Sequence, residues 1–372
     1  MGTERILIAG GGIAGLTLAT ALSRVGLDAE LVERDTEWRT VGAGIAVQPN
    51  GVRVLRGLGL GPALDAGGTR IDRWLFRDQD GVVLSEIEMH AVWGDIGPFI
   101  GIDRARLQEV LRAKACVPCR LGMWVTRASP TECGVAVELS DGTQAEYGLV
   151  VGADGIRSTV RPAVLGATSP VYGGQMAWRS LSPVRPAGVE GVEFWLGDGC
   201  FFGLCPVGGG RTYGFANVRQ SQIHDPVPGR LERLRQRFEG FGGAVREYLA
   251  CLESDEQIHC GPIEWLEMDR WHVGRVVLIG DAAHASSPMM GQGGCMAMED
   301  ACVLSDMLRG GLGDAVIDRF VARRRPRVSW VQQASRAVGE MLGLPPSVRN
   351  AMLRERGVSA FHDRFRPLTP PP

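Results

Sequence analysis

Lysine is almost missing from this 372-residue sequence: of 40 basic residues only Lys114 is a lysine, and the rest are arginine. Any function built on a reactive or substrate-activating lysine therefore has one candidate. An excess of either charge is also missing. Forty basic side chains face 42 acidic ones for a net charge of −2, so the whole chain offers no field for nucleic acid or an anionic membrane. No window holds about 18 uninterrupted apolar residues, so no membrane span is expected. The stretch from Met1 to Arg5 runs into a glycine-rich apolar segment without a cleavage-type ending, which does not read as an export signal. Nine scattered cysteines, an odd number, read as reduced thiols of a cytoplasmic protein. Cys116 and Cys119 form the one CxxC pair, and neither a second pair nor a histidine cluster completes a zinc site with it. No metal is expected. There is no internal repeat, and no low-complexity block beyond a few terminal prolines.

What is present is enough apolar residue, 45% of the chain, to bury the cores of two domains. The strongest local signal comes first. The run from Arg5 to Ala9 reads as a buried parallel strand, and it enters Gly10-Gly-Gly12-Ile13-Ala14-Gly15, which fits GxGxxG. Helical spacing follows from Ala14 to Val25, Gly26 stops the helix, and a second strand from Ala29 ends in Glu33. Gly10 permits a tight turn, Gly12 lets backbone approach a pyrophosphate, and Gly15 lets helix and strand pack closely. The phosphates would face the helix N-terminus, and Glu33 would accept hydrogen bonds from a ribose diol. A glycine-rich turn alone is common; the whole strand–helix–strand–acid unit is what points to a dinucleotide. There is no second GxGxxG.

Two more apolar strands end in aspartates. One is Leu149-Val-Val-Gly-Ala-Asp154-Gly-Ile-Arg157-Ser158, the other Arg275-Val-Val-Leu-Ile-Gly280-Asp281-Ala-Ala-His284. The second continues through Pro288-Met289-Met-Gly291-Gln-Gly293-Gly294 into a helix that begins near Cys295. Aspartates at the carboxyl ends of buried parallel strands sit where such sheets bind ligands. Each has a plainer reading: Asp154 as part of an Asp-Gly turn, Asp281 as a helix cap.

Together with the segment from Val41 to Asn50 and with Asp103-Arg104-Ala-Arg-Leu107, these motifs resemble, in order and spacing, the group A FAD-dependent aromatic monooxygenases. These include the p-hydroxybenzoate, salicylate and urate hydroxylases, and the quinolone 3-hydroxylases resemble the chain most. The resemblance runs from about Ile6 to Arg325. It implies an α/β fold: a Rossmann-like FAD-binding domain with an inserted antiparallel β-sheet substrate domain and a C-terminal helix. The expected division is 1–75, 100–172 and 264–325 for FAD; 76–99 and 173–263 for substrate; 326–372 for a helical segment and tail. The resemblance places FAD against Gly10, Gly12, Ile13, Ala14, Gly15, Glu33, Arg34, Gly44, Ile45, Arg104, Val125, Asp154 and Asp281. It sets Gly291, Gly293, Gly294 and Cys295 beside the isoalloxazine ring. It also implies the chemistry: NAD(P)H reduces FAD, O₂ gives the flavin C4a-hydroperoxide, and that species hydroxylates a small aromatic or heteroaromatic substrate.

The middle of the chain reads as an antiparallel sheet of short segments, 175–181, 192–196, 200–205 and 211–218, with a helix over 228–241. Trp178, Trp195, Phe201, Phe202, Pro288 and Met289 are the candidate substrate walls. Tyr213 is the candidate proton relay and Arg179 the candidate anchor for a carboxylate or carbonyl, each with a structural role as the alternative. Phe201 stands where some relatives carry a substrate-binding arginine, which favours an apolar ring over a small polar one. His284 reads as part of the fold motif. The arginines at 323–325 read as a solvated face of a helix spanning 314–342, followed by a short segment at 348–353 and a frayed tail. A monomer or homodimer is expected. A halogenase is disfavoured, since its lysine and its WxWxIP segment have no match beyond Lys114. An oxygenase or epoxidase acting on a non-aromatic substrate, and a non-catalytic FAD-binding redox sensor, stay open.

Overall fold

The computed structural model describes residues 4–38, 43–166 and 168–372. Val41 and Gly42, the first residues of the segment leading to Asn50, lie outside them.

The apolar runs that read as parallel strands do pair that way. Ile6–Ala9 lies between Ala29–Glu33 and Leu149–Gly152, and Val276–Leu278 extends the sheet beyond the latter, all parallel. Cys119–Leu121 closes one edge in parallel and His272–Val273 the other in antiparallel sense. The three central strands are buried on both faces, as unbroken apolar runs require. Helix Ile13–Val25 crosses between the first two strands and ends on Gly26, whose left-handed conformation closes it.

A second sheet of seven strands lies across the carboxyl ends of this layer. Its order is Ile258–Trp265, Val171–Ser182, Arg211–Arg219, Cys200–Val207, Val192–Leu196, Arg73–Asp78 and Val83–Glu88. All neighbours are antiparallel except Val192–Leu196 with Arg73–Asp78. Its outer face is covered by helices Arg230–Arg237 and Gly243–Ala250, a shorter first helix than the 228–241 expected. A small sheet of Gly44–Val47, Phe99–Asp103 and Gly68–Ile71 fills the joint between the two layers.

The carboxyl end departs from expectation. Helix Asp314–Leu342 has the anticipated extent, but Pro346 opens a further 20-residue helix to Phe365. Proline fits the first turn of a helix, where its missing N–H is unneeded. The tail is not frayed. Leu368 is fully buried, Arg53 donates to the carbonyls of Thr369 and Pro370 at 2.8 Å, and Arg323 reaches that of Pro372. Among the described residues no helix is long and apolar enough to cross a membrane.

Candidate active site

The glycine motif opens a cleft of about 370 Å³ at the end of the parallel sheet. Gly10, at φ +108°, turns so tightly that a Cβ there would lie 2.5 Å from the Ala153 carbonyl oxygen. At Gly15 a Cβ would stand 1.9 Å from the Gly10 carbonyl, so the helix can approach its strand only without one. At Gly12, by contrast, a Cβ would meet no atom within 4 Å. That open space lies over the start of a helix with no side-chain cap, whose first N–H groups can take an anion.

Glu33 lies in the wall of the cleft, accepting from the Gly11 N–H at 2.6 Å and the Asp35 N–H at 2.9 Å. Arg34, Arg104 and Val125 line it as well. Asp154 answers to both of its readings. Its Oδ2 accepts from the N–H groups of Thr159 and Val160, which is the turn role, while Oδ1 is buried without a partner in the wall of the cleft. An orphaned acceptor there fits a ligand donor such as a hydroxyl. Arg106 pairs with Glu109 on the exposed side of its helix.

From the cleft the predicted residues continue as a connected seam. A Cβ on Gly294 would lie 3.1 Å from the Ile45 side chain and 3.9 Å from that of Ile13. Gly280, which precedes Asp281, is 3.1 Å from Ala14 by the same measure. Asp281 is exposed with Oδ1 beside Gly293, and no side chain caps its helix. Gly291 turns the chain at φ +62°, and helix Gly293–Leu308 begins uncapped behind it. Cys295 corrects its reading in part: its side chain is buried against Gly51, so only its backbone belongs to the loop surface. At the far end, Tyr213 presses so closely on Gly44 that a Cβ there would lie 2.3 Å from it. The residues present thus fit an extended dinucleotide, with phosphate space at Gly12, ribose acceptors at Glu33 and Asp154, and a ring seat among Gly44, Ile45 and Gly291–Gly294.

The substrate walls need a correction that follows from the pleat. Side chains alternate between faces of a strand, and Trp178, Trp195 and Phe202 all point to the outer face. Trp178 donates to Asp225 at 2.8 Å, Trp195 carries the Arg77 guanidinium, and Phe202 packs edge-on against Phe238. These three build the core under the helices. The inner face instead presents Phe201, Phe215 and Tyr213, with Phe194 in contact with the first two. Phe215 lies directly over Gly203, where a Cβ would stand 2.1 Å from its ring. Arg179 shares this face and lies by the Tyr213 hydroxyl. Burial pushes that hydroxyl above its ordinary pKa, against the opposing charges of Arg179 and Arg104. Met289 packs by Gly339 of the long helix, while Pro288 is exposed.

A support beneath the ring seat went unread in the sequence. Arg324, taken with its neighbours for a solvated face, is fully buried. It donates to Asp300 at 2.7 Å and to Glu299 at 2.8 Å, and Arg327 adds two bonds to Glu299. From Glu299 the network runs through Asn50 to Gln292, then to Gln48, which donates to the Met290 carbonyl at 2.6 Å. His284 lies 2.6 Å from Asp300, which also accepts from the Gly280 N–H. The histidine thus ties its own turn to helix Gly293–Leu308 through Asp300. Asn50 and Gln292 stood inside quoted motifs as polar letters among apolar ones, the one signal that could have marked them.

Comparison with known proteins agrees with this geometry. Residues 3–335 match the model of a family described as "FAD binding domain". The chain is 37% identical to the aurachin C monooxygenase/isomerase of Stigmatella aurantiaca, over 90% of this chain and 89% of that one. It is 35% identical to the 3-amino-4-hydroxybenzoate 2-monooxygenase of Streptomyces cremeus, over 92% and 88%. Its fold superposes on the crystal structure of Klebsiella pneumoniae HpxO complexed with FAD and uric acid with a TM-score of 0.89 at 29% identity, covering 98% and 97% of the two chains. The chain therefore belongs to the FAD-binding-domain family of flavoprotein monooxygenases.

Proposed function

We propose that this monooxygenase uses NAD(P)H and O₂ to hydroxylate a small aromatic or heteroaromatic ring, held between the 288–294 loop and the inner face of the seven-stranded sheet. The observation that carries the reading is the seam from Gly12 to Tyr213, which ends on an apolar aromatic face. Bound FAD supplies the redox chemistry, taking electrons from the nicotinamide and activating O₂ for transfer to a ring carbon.

The chain's own residues have three tasks. Phe201 and Phe215 offer a ring offset and edge contacts, and they keep water from the reacting face. Tyr213, held protonated by burial, donates a hydrogen bond to an oxygen on the substrate ring, and Arg179 favours the anion as that oxygen ionises. The network beneath Met290 fixes the loop, so that the ring stands at one distance and angle. Hydride delivery is assigned to the same open groove, since no second dinucleotide motif exists. Nine unpaired cysteines support a reducing, cytoplasmic setting.

The test follows NAD(P)H oxidation, oxygen uptake and product together for the FAD-loaded protein, with phenols, salicylates, quinolones and indoles. A compound that speeds nicotinamide oxidation and is itself recovered hydroxylated supports the reading. Full flavin content with no stimulation by any ring would sink it, and would favour a non-aromatic substrate or a redox sensor.

A further inference from the structure

Along the inner face of the sheet, beyond Tyr213 and Phe215, the alternation brings Asn217 inward. It stands opposite Phe201 on one side and Ala177 on the other. The side chain is 5% exposed, and its Nδ2 is buried with no hydrogen-bond partner. Two residues along the neighbouring strand from Ala177, Gln175 has the complementary orphan, a buried Oε1 without a donor. Gln175 is also tied to the cofactor side: its Nε2 and the Met289 side chain meet the same spot beside Gly339, at 3.7 and 3.6 Å from a Cβ built there. Cross-strand diagonal neighbours of this kind lie about 7–8 Å apart, and the two amides do not bond each other, which leaves both orphans open to a group placed between them.

Buried polar groups in folded proteins find partners, and one donor and one acceptor left open on an apolar wall describe what is meant to fill the gap. Resting on the ring-hydroxylation reading above, we infer that Asn217 and Gln175 select the substrate, and that its polar edge is neutral, with an accepting oxygen beside an N–H or O–H donor. A cyclic amide or a vinylogous amide fused to an aromatic ring has that edge. A carboxylate does not, since one of its oxygens would face the open Gln175 Oε1, acceptor against acceptor. Phe201, directly across from Asn217, adds no cation to hold an anion, and the guanidinium on this face, Arg179, lies by the Tyr213 hydroxyl instead. Ala177, and Gly261 across from it on the next strand, leave the depth for a fused ring.

The experiment reads binding in the oxidised, FAD-loaded protein, from the change in flavin absorbance on titration, so it does not depend on turnover. Three probes are compared: carbostyril, a quinoline lactam; naphthalene, a bicycle of the same size with no polar edge; and salicylate. The expected result is that carbostyril binds tightest to the wild type. Asn217→Leu should then weaken carbostyril about tenfold, one hydrogen bond's worth, while naphthalene changes less than about twofold. Gln175→Met, which keeps length and removes the acceptor, should act in the same direction, and serves if Asn217→Leu fails to fold. Equal loss for carbostyril and naphthalene in both variants, or salicylate binding tighter than carbostyril in the wild type, overturns the inference. Failure of the hydroxylation reading looks different: the binding order would hold while no probe is oxygenated.

Discussion

At the scale of single residues, glycine means different things at positions three apart. Gly15 is needed by the fold, because any side chain there would run into the Gly10 carbonyl. Gly12 is not needed by the fold, because a side chain there would meet nothing of the protein; on the proposed reading it is needed by the ligand, whose space over the helix start that side chain would fill. Gly12→Val should therefore fold, with β-branching in the first turn costing well under about 1 kcal/mol, yet purify colourless. Flavin absorbance and the urea midpoint of the apo protein separate these effects. A variant that retains flavin would remove Gly12 from the pyrophosphate seat, and one with a collapsed midpoint would return it to the fold.

At the scale of elements, two helices, Gly293–Leu308 and Asp314–Leu342, are joined through buried charge rather than apolar contact alone. Desolvation alone would raise the Asp300 carboxyl, but His284 and Arg324 hold it down to about 2. A carboxyl depressed in the folded state contributes stability that is complete above its unfolded pKa, near 4, and lost as pH falls toward the folded value. The contribution is on the order of 2 kcal/mol. Urea unfolding of the apo protein from pH 5 to pH 3 should thus show an acid loss that Asp300→Asn lacks, the variant starting less stable because Arg324 and His284 keep one neutral partner. Parallel acid limbs for the two proteins would contradict this assignment. The same elements show what a sequence discloses. Strands and helices were legible because their periods are local, and the extent of Asp314–Leu342 followed from them. Which face of the middle sheet meets the cofactor was not local. Period two separates Phe201 from Phe202, but only the packing of Phe202 on Phe238 says which lies under the helices and which is left for the proposed wall. Arg324 was hidden likewise, one arginine in a run of three whose acids lie 24 and 25 residues earlier in the chain.

For the whole molecule, the carboxyl-terminal helix matters more than its distance from the motifs implies. Phe361 packs 5.3 Å from Trp74, which stacks at 5.3 Å on Phe194, and Phe194 in turn touches Phe201 and Phe215. Arg349, fully buried, donates to the carbonyls of Leu196 and Gly197 at the end of the same strand. The last helix is thus the outer buttress of the proposed substrate wall. Burial of Leu353, Phe361 and Phe365 contributes roughly 1.5–3 kcal/mol each, comparable in sum to the whole stability of about 5–15 kcal/mol expected of a folded chain. Removing residues 346–372 should therefore do more than loosen an end: the aromatic cluster would open to water, and the truncated chain should bind a hydrophobic dye, lose cooperative unfolding and be cleaved within 192–207 by protease. The milder change Phe361→Ala should cost about 3–5 kcal/mol. It should also weaken probe binding, because Phe194 loses the ring that holds Trp74 against it. If the truncated chain instead unfolds cooperatively with full flavin and unchanged probe affinity, the wall stands without its buttress, and the helix serves some surface function of its own.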